Sequence, residues 1–262
     1  MAKFLVCGRG GSGKTTAIVL LAKRLSKEGR ILIVDTDESN MGLPFLLGME
    51  SPQKTVMEAL GGKKEVGTQL RTVIISDGRE KVSFFKKGFP LDILSRDAIS
   101  HSGNITFVRI GKEEHAMEGC ACPMGALARD FLNNLDEREF LFILVDTEAG
   151  IEHFGRGLVA EVDGVLYVTD PSFEAILLAE KAKRMCEEAK KPILILANKM
   201  DEKISNNMLR MLKEKGFEPV SVLPYKREIA EAHLFGKPIF LVPEEIEPFV
   251  QSMKDLKSTT TA

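Results

Sequence analysis

The sequence predicts an α/β fold: a doubly wound, mostly parallel sheet flanked by helices. Two observations carry that expectation. Short apolar runs of strand length recur along the 262 residues, several of them almost continuous, as strands buried on both faces are. Stretches of helical periodicity separate many of them, and that alternation belongs to parallel strands joined by crossover helices.

The elements follow in chain order. "FLVC" at 4–7 reads as a first strand, and "GKTTAIVLLAKRLSKEG" behind it has apolar residues at helical spacing and a stop at Gly29. "ILIV" at 31–34 is the next strand. Residues 61–90 are the least regular part, with "GGKKEVG" and "SDGREKVSFFKKG" reading as exposed loop or hairpin. "LDIL" at 91–94, "ITFVRI" at 105–110, "FLFILV" at 140–145, "VLYV" at 165–168, "ILILA" at 193–197 and "VSVL" at 220–223 supply further strands. "SFEAILLAEKAKRMCEEAKK" is a helix with Ser172 as its N-cap and Pro192 beyond its end. No repeat or shift in composition marks a boundary. Residues 1–257 are therefore expected to form one domain, with 258–262 a disordered tail.

Composition narrows the function. Hydrophobic residues make up 44% and charged residues 28%, the balance of a soluble globular chain. Lys and Arg number 36 against 38 Asp and Glu, a net charge of −2, which argues against general nucleic-acid binding. The longest apolar runs are too short to span a membrane. The first residues pass straight into a strand without a cleavable signal pattern, so a cytoplasmic protein is expected. Of the four cysteines, Cys7 and Cys186 stand apart and are expected to fill core. Cys120 and Cys122 form a pair, which in a reducing compartment suggests metal or redox chemistry.

The chemistry concentrates in "CGRGGSGKTT" at 7–16. Gly8, Gly13, Lys14 and Thr15 satisfy Gly-x-x-x-x-Gly-Lys-[Ser/Thr] between a strand and a helix, the context that a phosphate loop requires. Backbone N–H groups from Gly10, Gly11, Ser12, Gly13 and Thr16 and the helix N-terminus attract phosphate oxygens. Lys14 would neutralise the β- and γ-phosphates, and the Thr15 hydroxyl would complete a Mg2+ shell. Two acidic strand ends join them, Asp35 and Asp37 in "ILIVDTD" and Asp146 in "FLFILVDTEAG". Ligand sites in open α/β sheets lie at such carboxyl ends. A carboxylate there can hold hydrated magnesium or position an attacking water; capping a helix is the alternative, and it stays open for Asp35. In "ILILANKMDE", Asn198, Lys199 and Asp201 follow a strand, and by itself that Asn-Lys-x-Asp spacing favours guanine. Arg9 adds a second cation that the loop pattern does not require.

Together these residues resemble a known class. "GRGGSGKTT" is similar to the deviant phosphate loop Lys-Gly-Gly-x-Gly-Lys-[Ser/Thr]-Thr of the MinD, ParA and nitrogenase-iron-protein ATPases. "VDTDESN", "DTEAGIE" and "LPYKREIAEAHLFGKPI" resemble its second acidic motif, its switch and its late segment where adenine commonly packs. The resemblance covers essentially the whole chain. It implies ATP and Mg2+ as ligands, Asp37 as the residue that positions water, and a homodimer that closes around two nucleotides. It also implies that Asn198, with Lys199, Leu223, Pro224 and Tyr225, serves adenine, overriding the guanine reading. Arg9 stands where the class has a lysine that reaches the partner's phosphates, so Arg9 is expected to act across the interface. Arginine keeps the charge but is longer and forked, and a solvated loop arginine is the alternative.

Within the class, "AGIEHFGRG" and "GCAC" ahead of a helix resemble the carbon monoxide dehydrogenase accessory ATPases of the CooC type. That implies support of nickel insertion, with carbon monoxide dehydrogenase as client. Two Cys120–Cys122 pairs meeting at a dimer axis would give a four-sulfur site suited to Ni2+ or Zn2+. Other readings fit less well. A membrane-bound ATPase would need a basic amphipathic end, and "IEPFVQSMKDLKSTTTA" has two lysines. A cluster-bearing reductase needs a cysteine in the switch after Asp146, where none occurs. A MinD- or ParA-type ATPase with another client, and a metal-binding module with little hydrolysis, stay as alternatives.

Overall fold

The strands form where apolar runs can be buried from both sides. In the computed structural model, which describes residues 1–75, 83–111, 122–151, 154 and 157–260, eight strands make one sheet. They are β1 (Ala2–Cys7), β2 (Ile31–Asp35), β3 (Ile99–Ser102), β4 (Ile105–Arg109), β5 (Phe142–Asp146), β6 (Gly164–Thr169), β7 (Ile193–Met200) and β8 (Ser221–Pro224). Their order across the sheet is β3-β4-β2-β5-β1-β6-β7-β8. All pairings are parallel except that of the edge strand β3 with β4. Every residue of β2, β4, β5 and β6 is buried, which explains their nearly unbroken apolar character.

Helices cover both faces. They are α1 (Lys14–Leu25), α2 (Leu43–Leu47), α3 (Val56–Ala59), α4 (Gly62–Ile75), α5 (Cys122–Asn134), α6 (Phe173–Glu188), α7 (Glu202–Glu214), α8 (Arg227–Phe235) and α9 (Glu247–Thr260). One core gathers Phe4, Leu20 and Leu144 with Phe249 of α9. The other packs Leu5 and Val145 against Phe131 of α5 and Ala179 of α6. Ser172 caps α6 as expected, accepting a 3.3 Å hydrogen bond from the Ala175 N–H. Cys7 and Cys186 are buried in the core; burial raises both thiols, that of Cys186 to about 12, so neither is a reactive thiolate.

Four expectations are corrected. Residues 62–75 form α4, where loop or hairpin was expected. Gly61 just ahead of it and Gly62 at its first position, both at positive φ, turn the chain, and Val66 is fully buried; a glycine-rich start hid that helical face. "LDIL" is a 3-10 turn at Leu91–Ile93. Leu91 and Leu94 are buried while Ile93 is exposed, a spacing that suits a turn and not a strand. The strand β3 went unseen because "ISHS" is a half-buried polar edge. Finally, α9 continues to Thr260, so residues 258–260 of the expected tail are helical; 261–262 lie outside the described residues. No described helix is long and apolar enough to cross a membrane.

The parallel register is what builds the site. It sets Asp35 directly beside Asp146 and Val6 beside Asp146. The loop after β1 therefore meets two acidic strand ends at one edge of the sheet.

Candidate nucleotide-binding site

The loop between β1 and α1 tolerates no side chain at two positions. Gly8 has φ 148°, and a Cβ there would lie 2.2 Å from the Val168 carbonyl oxygen. Gly13 has φ 96°, and its Cβ would lie 2.1 Å from Asn198 Nδ2. Residues from the end of β7 brace the loop. Asn198 Nδ2 donates to the Ser12 carbonyl at 2.9 Å and Lys199 Nζ to the Gly11 carbonyl at 2.7 Å. Lys14 is buried, its Nζ folded back to donate to the Gly8 carbonyl at 3.3 Å. Ser12 is fully buried, and its hydroxyl has no hydrogen-bond partner. Gly10 and Gly11 complete the turn, while Thr15 and Thr16 occupy the first turn of α1.

At the acidic edge the three aspartates separate into different roles. Asp35 is fully buried and ion-paired with buried Arg109, Oδ2 to Nε at 3.0 Å, while its Oδ1 accepts the Asp37 N–H at 3.0 Å. It belongs to the scaffold. Asp37 is oriented by Ser39, whose N–H and hydroxyl donate to Oδ1 at 2.9 and 2.7 Å. Asp146 is fully buried; its Oδ2 accepts from Asn40 Nδ2 at 2.9 Å, and its Oδ1 has no hydrogen-bond partner. Burial first, then the charges of Asp35 and Asp37, push the Asp146 carboxyl well above the usual range, against a lowering by Asn40 and Lys14.

The same Asn40 Nδ2 donates to Thr15 Oγ1 at 3.2 Å. One side-chain amide thus ties together the two groups expected at a magnesium ion. An orphaned carboxylate oxygen and a hydroxyl are hard oxygen donors, and they fit Mg2+. Sequence reasoning missed Asn40. Its sign was there, an amide residue closing "VDTDESN" three positions after Asp37.

The segments expected around the base lie together but differ in access. Pairing of β7 with β8 sets Met200 beside Pro224, and the Tyr225 N–H donates to the Met200 carbonyl at 3.0 Å. Leu223 is buried in the core, Pro224 half-buried and Tyr225 exposed. Asp201 caps α7, accepting from the Lys203 N–H at 2.8 Å, so local structure accounts for the aspartate of Asn-Lys-x-Asp. His233 of α8 sits with Nε2 2.8 Å from Thr16 Oγ1. Partial desolvation of the ring, and then the Lys199 ammonium, lower its pKa, although the residue as a whole is exposed. The sequence singled out the segment that holds His233, 223–239, but not this residue.

Arg9 is partly exposed and paired within its own chain. Its Nη2 lies 3.1 Å from Asp170 Oδ2 and its Nη1 3.5 Å from Glu174 Oε2, both in its own chain. Cys120 lies outside the described residues, and Cys122 is described only as the first residue of α5. Among the described residues no group of three or more His, Cys, Asp or Glu is placed to hold a metal ion.

Comparison with known proteins bears on this geometry. The family model described as the CobQ/CobB/MinD/ParA nucleotide binding domain matches residues 3–239. An uncharacterized ATP-binding protein of Methanocaldococcus jannaschii is 38% identical over 250 residues, covering 95% of this chain and 98% of the relative. The carbon monoxide dehydrogenase accessory protein CooC of Rhodospirillum rubrum is 28% identical over 246 residues, covering 89% and 88%. Among solved structures, the septum site-determining protein MinD of Pyrococcus horikoshii, complexed with Mg-ADP, superposes with a TM-score of 0.64 at 18% identity, covering 98% of this chain and 97% of that one. The MinC:MinD complex of Aquifex aeolicus gives 0.66 at 16% identity, covering 97% and 96%.

Proposed function

Because this chain belongs to the CobQ/CobB/MinD/ParA nucleotide-binding family, we propose that it is an ATPase that serves as a maturation factor for a nickel enzyme. The observation that carries the ATPase reading is the meeting of the Lys14–Thr15 loop with the orphaned Asp146 oxygen at the carboxyl edge of the sheet.

The chain's own groups divide the work. Lys14 leaves the Gly8 carbonyl to neutralise the β- and γ-phosphates. Thr15 and Asp146 would hold Mg2+, which when bound balances phosphate charge. Asp37, its carboxylate oriented by Ser39, positions the attacking water. Asn198 and Lys199 brace the loop from beneath and, with Pro224 and Tyr225, flank the base. Arg9 leaves Asp170 and Glu174 to reach the nucleotide of a partner subunit in a closed homodimer.

The likeness to CooC supports the finer reading: ATP-linked insertion of nickel into carbon monoxide dehydrogenase, the metal carried as cargo on Cys120 and Cys122 of two subunits. Ni2+ and Zn2+ both suit such a site. A second reading, a metal-binding protein with little hydrolysis, is favoured by one observation, the pairing of Arg9 within its own chain. Steady-state ATP turnover decides between them. Turnover that Lys14→Ala and Asp37→Asn both abolish supports the ATPase. Tight ATP binding without turnover in any metal or oligomeric state supports the second reading.

A further inference from the structure

The helix α8 is held to the molecule in an unusual way. None of its residues is buried, and only Ile229 and Ala232 pack partly against the core. Yet His233 projects from it to Thr16 Oγ1, at 2.8 Å, in the first turn of α1. Thr16 is the third residue of that helix and itself buried, so its hydroxyl lies among the N–H groups that have no partner within the helix. On the reading that this loop binds ATP, a phosphate lands on those groups.

We infer that His233 is a positioning residue that aims the Thr16 hydroxyl at the nucleotide phosphate. The argument is one of hydrogen-bond polarity. Phosphate oxygens at neutral pH accept hydrogen bonds, so a hydroxyl that serves them must spend its one proton on them. That hydroxyl still has lone pairs with which to accept. A neutral imidazole carries its proton on one nitrogen only. With the proton on Nε2, His233 donates to Thr16 Oγ1 and leaves the hydroxyl proton directed at the phosphate. With the proton on Nδ1, the ring accepts the hydroxyl proton and the phosphate loses it. Bound nucleotide therefore selects the Nε2-protonated ring, and the chain of bonds runs from His233 to Thr16 to phosphate. The same contact docks α8 over an occupied loop.

The test uses the full chain and Mg-ADP. In nitrogen NMR of the wild type, saturating Mg-ADP is expected to place the His233 proton on Nε2. Calorimetry is expected to show ADP binding weakened about 3- to 10-fold in His233→Leu, the range of one neutral hydrogen bond. His233→Gln, which keeps a donor at the same reach, should recover most of that loss. In a Thr16→Val background, His233→Leu should cost nothing further, since the pair acts as one unit. A ring protonated on Nδ1 with ADP bound overturns the inference, and this readout needs no variant to fold. So does His233→Leu binding ADP as tightly as the wild type, or a Gln variant no better than Leu. Failure of the wild type to bind ADP at all removes the ATP reading together with this one, and is told apart by that result alone.

Discussion

Asn40 Nδ2 donates to Asp146 Oδ2 at 2.9 Å across the site, joining residues 106 positions apart in the chain. It is the neutral donor on a carboxylate that burial has already made costly to ionise. Asn40→Ala should therefore destabilise the nucleotide-free protein by about 1–3 kcal/mol at neutral pH, as for a buried acceptor that loses its hydrogen-bond partner. The loss should shrink in an Asp146→Val background, where no side-chain acceptor is left. Denaturant unfolding of the four proteins measures it, and equal losses in both backgrounds would refute the coupling.

Asp146 also predicts a pH dependence. Its folded pKa is raised above the unfolded value, so the folded state holds this proton more tightly. The nucleotide-free protein then gains stability below the ordinary carboxylate range and loses it as pH rises from that range towards the folded value. Asp146→Asn removes this slope and should melt higher than the wild type at neutral pH. Melting temperatures across pH, without nucleotide, test the sign; a parallel pair of curves would contradict it.

Lys14 and Asp37 are expected to fail at different steps. Lys14→Ala should weaken ATP binding about 10- to 100-fold, because a charge-assisted contact to phosphate is lost. Asp37→Asn should keep ATP affinity and lower turnover about 100-fold or more. Calorimetry and phosphate release separate the two steps. An Asp37→Asn protein with wild-type turnover would remove that residue from the mechanism.

Arg9 is predicted to act on a neighbour's nucleotide. Arg9→Ala should leave ATP binding by a monomer nearly intact while lowering turnover and ATP-dependent association. Asp170→Asn, which loosens the hold on Arg9 within its own chain, should favour association. Mixing Arg9→Ala with Asp37→Asn should restore activity, since one site of the heterodimer combines intact Asp37 with an intact Arg9 from its neighbour. A mixture that forms heterodimers and stays inactive would place Arg9 in its own site.

The cysteine pair makes a stoichiometric prediction. Changing either Cys120 or Cys122 to Ala should abolish tight binding of one Ni2+ or Zn2+ ion per dimer, and affinity should weaken as pH is lowered because protons compete for thiolate. Metal analysis alongside oligomer mass tests this. One ion per isolated monomer at unchanged affinity would rule out a shared site.

Fold and site were legible to different depths. Seven of the eight strands stand out in the sequence, because a strand buried on both faces must be apolar along its whole length. The missed strand, Ile99–Ser102, is a polar edge, and the helix at 62–75, read as loop or hairpin, hides its period behind two glycines that turn the chain. Lys14 and Thr15 were legible because the phosphate loop is a local device, its spacing dictated by a single turn into a helix. Asn40 and His233 were not, since each draws its meaning from a partner far along the chain.

By itself, then, the sequence determined what local physics encodes: the buried apolar strands, and a glycine-lined loop that a lysine and a threonine close. Only the tertiary structure decided which acidic residues are spent on the scaffold. Asp35, Asp37 and Asp146 are the same chemical group at similar strand ends. Arg109 across the sheet claims the first, Ser39 orients the second, and burial beside Asn40 leaves the third with an oxygen to offer. Partnership of that kind depends on parallel register and on contacts such as Thr16 with His233, 217 residues apart, and no short-range pattern carries it.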